Sequence, residues 1–165
     1  MTKRTVHGLP KADQNRWGDE SRRAIALARR YLRFGTRSTA ELRTYLQERS
    51  VPTRVIDGVI AEWSKNGLLD DRACAKLWAT SLADRGYAWA SIRQRLLAKG
   101  LEEALISQVI GLLAEGADDA TRARALVQAR ERHDRNRVAQ FLAQRGFDSE
   151  LIDRVLAESF GTTSD

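Results

Sequence analysis

Few side chains in this 165-residue sequence could carry covalent or metal chemistry. The candidates are His7, His133, Cys74 and the adjacent carboxylates Asp70 and Asp71. His133 lies in the polar run 130–137, where a solvated imidazole is expected, and His7 lies in the N-terminal segment. One cysteine permits neither an internal disulfide nor a cysteine-based metal site within the chain. On the first turns of a helix, Cys74 is expected to behave as a small buried hydrophobe. Asp70 and Asp71 follow Gly67, Leu68 and Leu69. A carboxylate pair could bind metal, but at a helix start it accepts orphan backbone N–H groups and complements the macrodipole, so capping is the expected role. No HExxH, Walker A or GxGxxG pattern occurs. The sequence therefore predicts no catalytic residue, no metal and no cofactor, and a protein that works by binding.

The arginines are more informative. The formal charge is +6 and the isoelectric point near 10.0, and of 28 basic residues 23 are arginine. Such a bias can reflect genome composition, or the suitability of guanidinium forks for carboxylate and phosphate contacts. Arg22, Arg23, Arg29, Arg30 and Arg33 fall opposite an apolar stripe of Ile25, Ala28, Tyr31 and Leu32. A second set, Arg122, Arg124, Arg130, Arg132, Arg135 and Arg137, is opposed within its span only by Glu131 and Asp134. Arg37, Arg93 and Arg145 complete the candidate binding set. Each group reads either as an ordinary solvated helix face, since arginine is a good helix former, or as a contact surface for acidic protein or nucleic acid. Trp63, Trp78 and Trp89 could stack on bases, but Trp63 and Trp78 follow helical apolar patterns and are expected in the core, whereas Trp17 and Trp89 are less constrained.

The elements that would position these residues come from an internal repeat. A slide of fifty positions places Leu42, Leu46, Val51, Ile56, Val59 and Ile60 on Ile92, Leu96, Leu101, Ile106, Val109 and Ile110. A further forty-six places those on Val138, Leu142, Phe147, Ile152, Val155 and Leu156. Within each copy an i, i+4 pair, a break and an i, i+3, i+4 set predict two helices. Ser50, Gly100 and Gly146 stand at the break, where a left-handed residue commonly ends a helix and lets the next apolar residue fold back. Pro52 suits a first helical turn, and Asp148 and Ser149 supply caps. A further helix precedes each pair, marked by Ala75, Trp78 and Leu82 in the second copy and lying around Ala123 to Ala129 in the third, where a short deletion falls between Gly116 and Arg135. The expected fold is all-α: three tandem three-helix repeats forming an elongated curved array. The expected divisions are a flexible leader at 1–20, repeats at 21–69, 70–116 and 117–160, and a tail at 161–165. Units of about fifty residues are near the lower limit for independent folding, so neighbours are expected to bury faces against each other. No run of about 18 apolar residues occurs and no apolar segment follows the basic N-terminus, which predicts a cytoplasmic protein without a membrane segment.

Three segments together resemble a known family. They are Arg37, Ser38, Glu41, Leu42 and Leu46; then Gly67, Leu68, Leu69, Asp70, Asp71 and Ala75; and finally Leu142, Arg145, Gly146, Phe147, Ile152 and Val155. In order and spacing these are similar to the RecX regulatory proteins of bacteria, over about Ser21 to Phe160. Cys74 departs from the pattern, since the family usually has an aromatic residue there. The resemblance implies a non-enzymatic, monomeric modulator that binds the RecA recombinase and its filament on single- or double-stranded DNA and limits filament extension, ATPase, strand exchange and coprotease activity. The alternative is a helical repeat protein that binds nucleic acid non-specifically and acts without RecA.

Overall fold

The computed structural model describes the backbone of residues 11–161 and the side chains of residues 18–161. Among the described residues there are nine helices and no strand: α1 Lys11–Leu32, α2 Thr39–Gln47, α3 Thr53–Lys65, α4 Asp71–Asp84, α5 Trp89–Ala98, α6 Glu103–Ala114, α7 Asp119–Gln128, α8 Arg135–Gln144 and α9 Ser149–Phe160. They group in threes. The opening helix already includes Lys11 to Glu20, residues expected to belong to a flexible leader. This extension has no apolar periodicity to reveal it, but Asp19 and Arg22, three residues apart, form an ion pair along it. His7 and most of the tail lie outside the described residues.

All eighteen apolar positions of the threefold alignment are buried, which fixes the face each second and third helix turns inward. Each repeat has its own core cluster. Leu42, Leu46, Val55, Ile56, Val59 and Trp63 centre the first; Ala75, Ile92, Leu96, Ile106 and Ile110 the second; Val127, Val138, Leu142, Ile152 and Val155 the third. Cys74 is buried. The deletion in the third copy falls at the leading helix: α7 has 10 residues where α4 has 14. Ala75 and Ala79 correspond to Ala123 and Val127, and all four are fully buried.

The break between second and third helices is built identically in the three repeats. Ser50, Gly100 and Gly146 have φ of 56°, 74° and 84°. In each case the next residue reaches back: the N–H groups of Val51, Leu101 and Phe147 donate to the carbonyls of Leu46, Leu96 and Leu142 at 3.1, 3.4 and 3.2 Å. The preceding N–H groups, of Ser50, Gly100 and Gly146, donate to Gln47, Leu97 and Ala143 at 2.9, 2.8 and 2.9 Å. This is the Schellman arrangement, and the residue after the left-handed one is in each case buried. Only the first copy carries a side chain in the left-handed position.

The chain divides into two compact units, one ending at Asp71 and one beginning at Arg72. The first unit holds α1 to α3. In the second unit, α4 to α6 and α7 to α9 pack as one body. Ala88, ahead of α5, donates its N–H to the Arg145 carbonyl at 3.0 Å and sits in the core cluster of the third repeat. Gly146 lies so near Ser91 that a Cβ there would be 2.7 Å from the serine Cβ.

Candidate binding surface

Asp71, and Asp118 and Asp119 in the next repeat, cap helices. Asp71 opens α4, yet its Oδ1 accepts the Thr39 N–H at the start of α2 at 2.8 Å. Asp119 holds the same place in α7 and accepts the Trp89 N–H at the start of α5, at 3.1 and 3.2 Å from its two oxygens. A first-turn N–H, which has no intrahelical acceptor, is thus satisfied by a carboxylate some thirty residues on. In the third repeat α8 is capped locally by Asp134, which accepts from Asn136 and Arg137. Ser38 and Glu41 form a reciprocal capping box on α2. The sequence carried that signal in the spacing of Ser38 and Glu41, although those residues entered the sequence reading only through the family pattern.

Around Asp119 the second unit is knotted together. The Arg122 guanidinium, with its side chain 11% exposed, donates to Asp119 at 3.0 Å and to the carbonyls of Ala83 and Tyr87 at 3.1 and 2.6 Å. It lies 4.3 Å from the centre of the Trp89 ring, whose Nε1 donates to the Ala117 carbonyl at 3.1 Å. Trp89 is therefore held at its Nε1 edge and on one ring face, and the freedom expected of it from sequence is absent. Burial pushes the Asp119 carboxyl above its ordinary pKa against the pull of the Trp89 N–H and Arg122, and burial likewise lowers that of Arg122.

Other candidate arginines are also engaged within the fold. Arg124 donates to both carboxylate oxygens of Glu158 on α9, at 2.8 and 3.3 Å. The side-chain hydrogen bond from Arg124 holds the Glu158 carboxyl below its usual range. Arg93 pairs with Glu103 and donates to Ser107 at 2.8 Å. Arg23 donates to the Arg49 carbonyl at 3.1 Å, and Arg22 pairs with Asp19. Arg135 is half-buried and also makes contacts within the fold.

Several cations lie against aromatic rings in two series that the sequence reading did not contain. In the first unit Tyr31 and Tyr45 stack at 4.1 Å, with Arg37 5.0 Å from the Tyr31 centroid and Arg49 3.5 Å from that of Tyr45. In the second, Arg95 and Arg145 lie 4.3 and 4.5 Å from the Tyr87 centroid, and Arg145 and Arg130 lie 5.0 and 3.8 Å from that of Phe141. The available signal was local: Arg49 follows Tyr45, and Arg145 follows Phe141, by one helical turn.

What remains at the surface is a smaller basic set. Arg29, Arg30 and Arg33 are exposed at and just beyond the end of α1, where cations also complement the helix dipole. Arg132 and Arg137 are exposed on either side of the α8 start, beside the exposed His133. None of these five has a carboxylate partner among the described residues. Beside Arg29, the residues Leu32, Trp63 and Leu68 line a groove of about 390 Å³, and Leu68 and Phe34 are 63% and 67% exposed. Among the described residues no cluster of three or more His, Cys, Asp or Glu could hold a metal ion, and no helix is long and apolar enough to cross a membrane.

Comparison with known proteins matches each repeat to a different family model. Residues 24–62 match the first three-helix domain of RecX, 70–110 the second and 118–156 the third. A regulatory protein RecX of Thermobifida fusca is 30% identical over 145 residues, covering 82% of this chain and 78% of its own length. One from Streptomyces coelicolor is 30% identical over 149 residues, covering 85% and 78%. Both are named as regulatory proteins. The crystal structure of RecX from Lactobacillus salivarius superposes with a TM-score of 0.70 at 17% identity, covering 87% of this chain and 98% of that one. A second RecX crystal structure superposes with a TM-score of 0.68 at 22% identity, covering 94% and 80%.

Proposed function

Because this chain belongs to the RecX family of regulatory proteins, we propose that it binds the RecA recombinase assembled on DNA and restrains it. The restraint acts on filament extension, ATP hydrolysis, strand exchange and coprotease activity, and no covalent chemistry by this chain is involved. The observation that carries the reading is the match of all three repeats, in order, to the three domains of one regulatory family. The exposed arginines support it physically. Arg29, Arg30 and Arg33 in one unit and Arg132 and Arg137 in the other offer guanidinium forks to acidic protein or to phosphate. Two cationic patches that engage one filament together would gain from effective concentration even where each contact is weak.

Equilibrium binding of labelled protein to RecA–single-stranded DNA filaments with a slowly hydrolysed nucleotide tests this directly. Saturable binding to filaments, much tighter than to the same DNA without RecA, is the expected result. Equal affinity for bare and RecA-coated DNA would overturn it. That outcome would favour the second reading, nucleic-acid binding without RecA, for which the same exposed arginines are the motivating observation. In that case affinity would fall steeply with salt, since each neutralised phosphate releases counterions.

A further inference from the structure

A groove of about 290 Å³ in the second unit is lined by Arg72 and Lys76 of α4 and by Val109, Leu112 and Leu113 of α6. Leu112 is 60% exposed. Lys76 is exposed and has no ion pair among the described residues. Arg72 donates to Gln108 at 3.2 Å, which holds its guanidinium near the groove rim.

The third repeat has the same two helices, α7 and α9, and differs at four of the five lining positions, two of which decide whether the groove is open. Asp71 and Asp119 open α4 and α7, and Ala75 and Ala123 are equivalent buried residues, so Lys76 corresponds to Arg124. Val109 and Ile110 correspond to Val155 and Leu156, so Leu112 corresponds to Glu158. In the third repeat these positions close on each other through the two-pronged Arg124–Glu158 ion pair. In the second repeat the cation is kept, its carboxylate is replaced by an exposed leucine, and the groove between the helices is open.

We propose that the α4–α6 groove docks an acidic amphipathic helix of a partner protein. That helix supplies to Lys76 the carboxylate that Glu158 supplies to Arg124, and it buries an apolar side chain against Leu112 and Leu113. A helix can present both groups on one face at a spacing of three or four residues. Charge complementarity selects the sign of the occupant, and the leucine wall selects protein over nucleic acid: a phosphate could meet Lys76 but would leave Leu112 in water. The inference rests on the reading that the chain acts by binding a protein, and it locates one contact.

The test uses the full chain and two probes: RecA–single-stranded DNA filaments, and a synthetic helical peptide with Leu and Glu repeating along one face. Leu112→Glu builds within the chain the pair already present in the third repeat. It is expected to leave the melting temperature unchanged or raised while weakening filament binding tenfold or more. Lys76→Glu should weaken it similarly, and Leu97→Glu, an exposed leucine on α5, should not. The peptide should shift the NMR signals of Lys76 and Leu112 in the wild type and not in Leu112→Glu. Filament binding that survives both groove variants, with no peptide shift at the groove, overturns this inference and leaves the RecA reading intact. A peptide shift at the groove without any filament binding supports the inference and overturns the RecA reading. Perturbation of the groove by an oligonucleotide and not by the peptide overturns the choice of occupant.

Discussion

At the residue scale, what an arginine does here is decided by its packing and not by its type. Arg122 and Arg124 stand two apart in a run that sequence treats as one basic face. Yet Arg122 ties Asp119 to two carbonyls under Trp89, and Arg124 makes a surface pair with Glu158. Arg122→Gln is expected to destabilise the second unit by about 2–3 kcal/mol, because it leaves the Tyr87 carbonyl without a donor and the half-buried Asp119 carboxylate without its cation. Urea denaturation measures this, and Arg124→Gln should shift the same curve far less. The exposed Arg29 and Arg30 should act in the opposite sense: replacing both with Gln is expected to change melting only slightly and to weaken filament binding. A pH titration of stability separates a further pair. The hydrogen bond from Arg124 holds the folded pKa of Glu158 below the ordinary carboxylate value, so its contribution is present above the unfolded value and is lost as pH falls through the folded one. The stability difference between wild type and Glu158→Gln should therefore vanish on acidification. From sequence, the chemistry of these arginines was legible and their partners were not, since Arg122 meets groups 35 and 39 residues away.

At the scale of elements, the threefold apolar alignment was enough to place the second and third helices of every repeat, because period and burial are local properties of the sequence. The helical state of residues 11–20 was not legible, since they carry no apolar stripe. Nor were the carboxylates of Asp71 and Asp119 as caps on α2 and α5. The spacing of Asp70 and Asp71 announces a helix terminus, but which terminus a side chain reaches depends on how helices pack. The shared Schellman turn gives an internal comparison. Ser50→Gly is expected to stabilise the protein by about 0.5 kcal/mol, because a side chain in the left-handed region is removed. Gly146→Ala combines the unfavourable φ of 84° with a Cβ driven against Ser91, and should cost about 2–4 kcal/mol. Thermal melting of the two variants measures both signs, and similar small effects would show that the contact at Ser91 relaxes freely.

At the scale of the whole molecule, three copies of one unit have diverged in what they expose while keeping one core pattern. The first repeat ends α1 in exposed arginines beside an apolar groove. The second opens a groove that the third closes with an ion pair. Membership of the RecX family follows from the match over all three repeats, and its residues were already visible in Ser38, Glu41, Asp70, Asp71, Gly146 and Phe147. The surface that meets a partner was not visible in that way, because exposure depends on which arginines the fold consumes. The most direct test of the central claim is the time course of ATP hydrolysis by RecA on single-stranded DNA with this protein added below the RecA concentration. Progressive loss of hydrolysis at a small fraction of the RecA protomers is the expected result, as a regulator of filament growth would give. Hydrolysis unchanged up to equimolar protein would contradict the account.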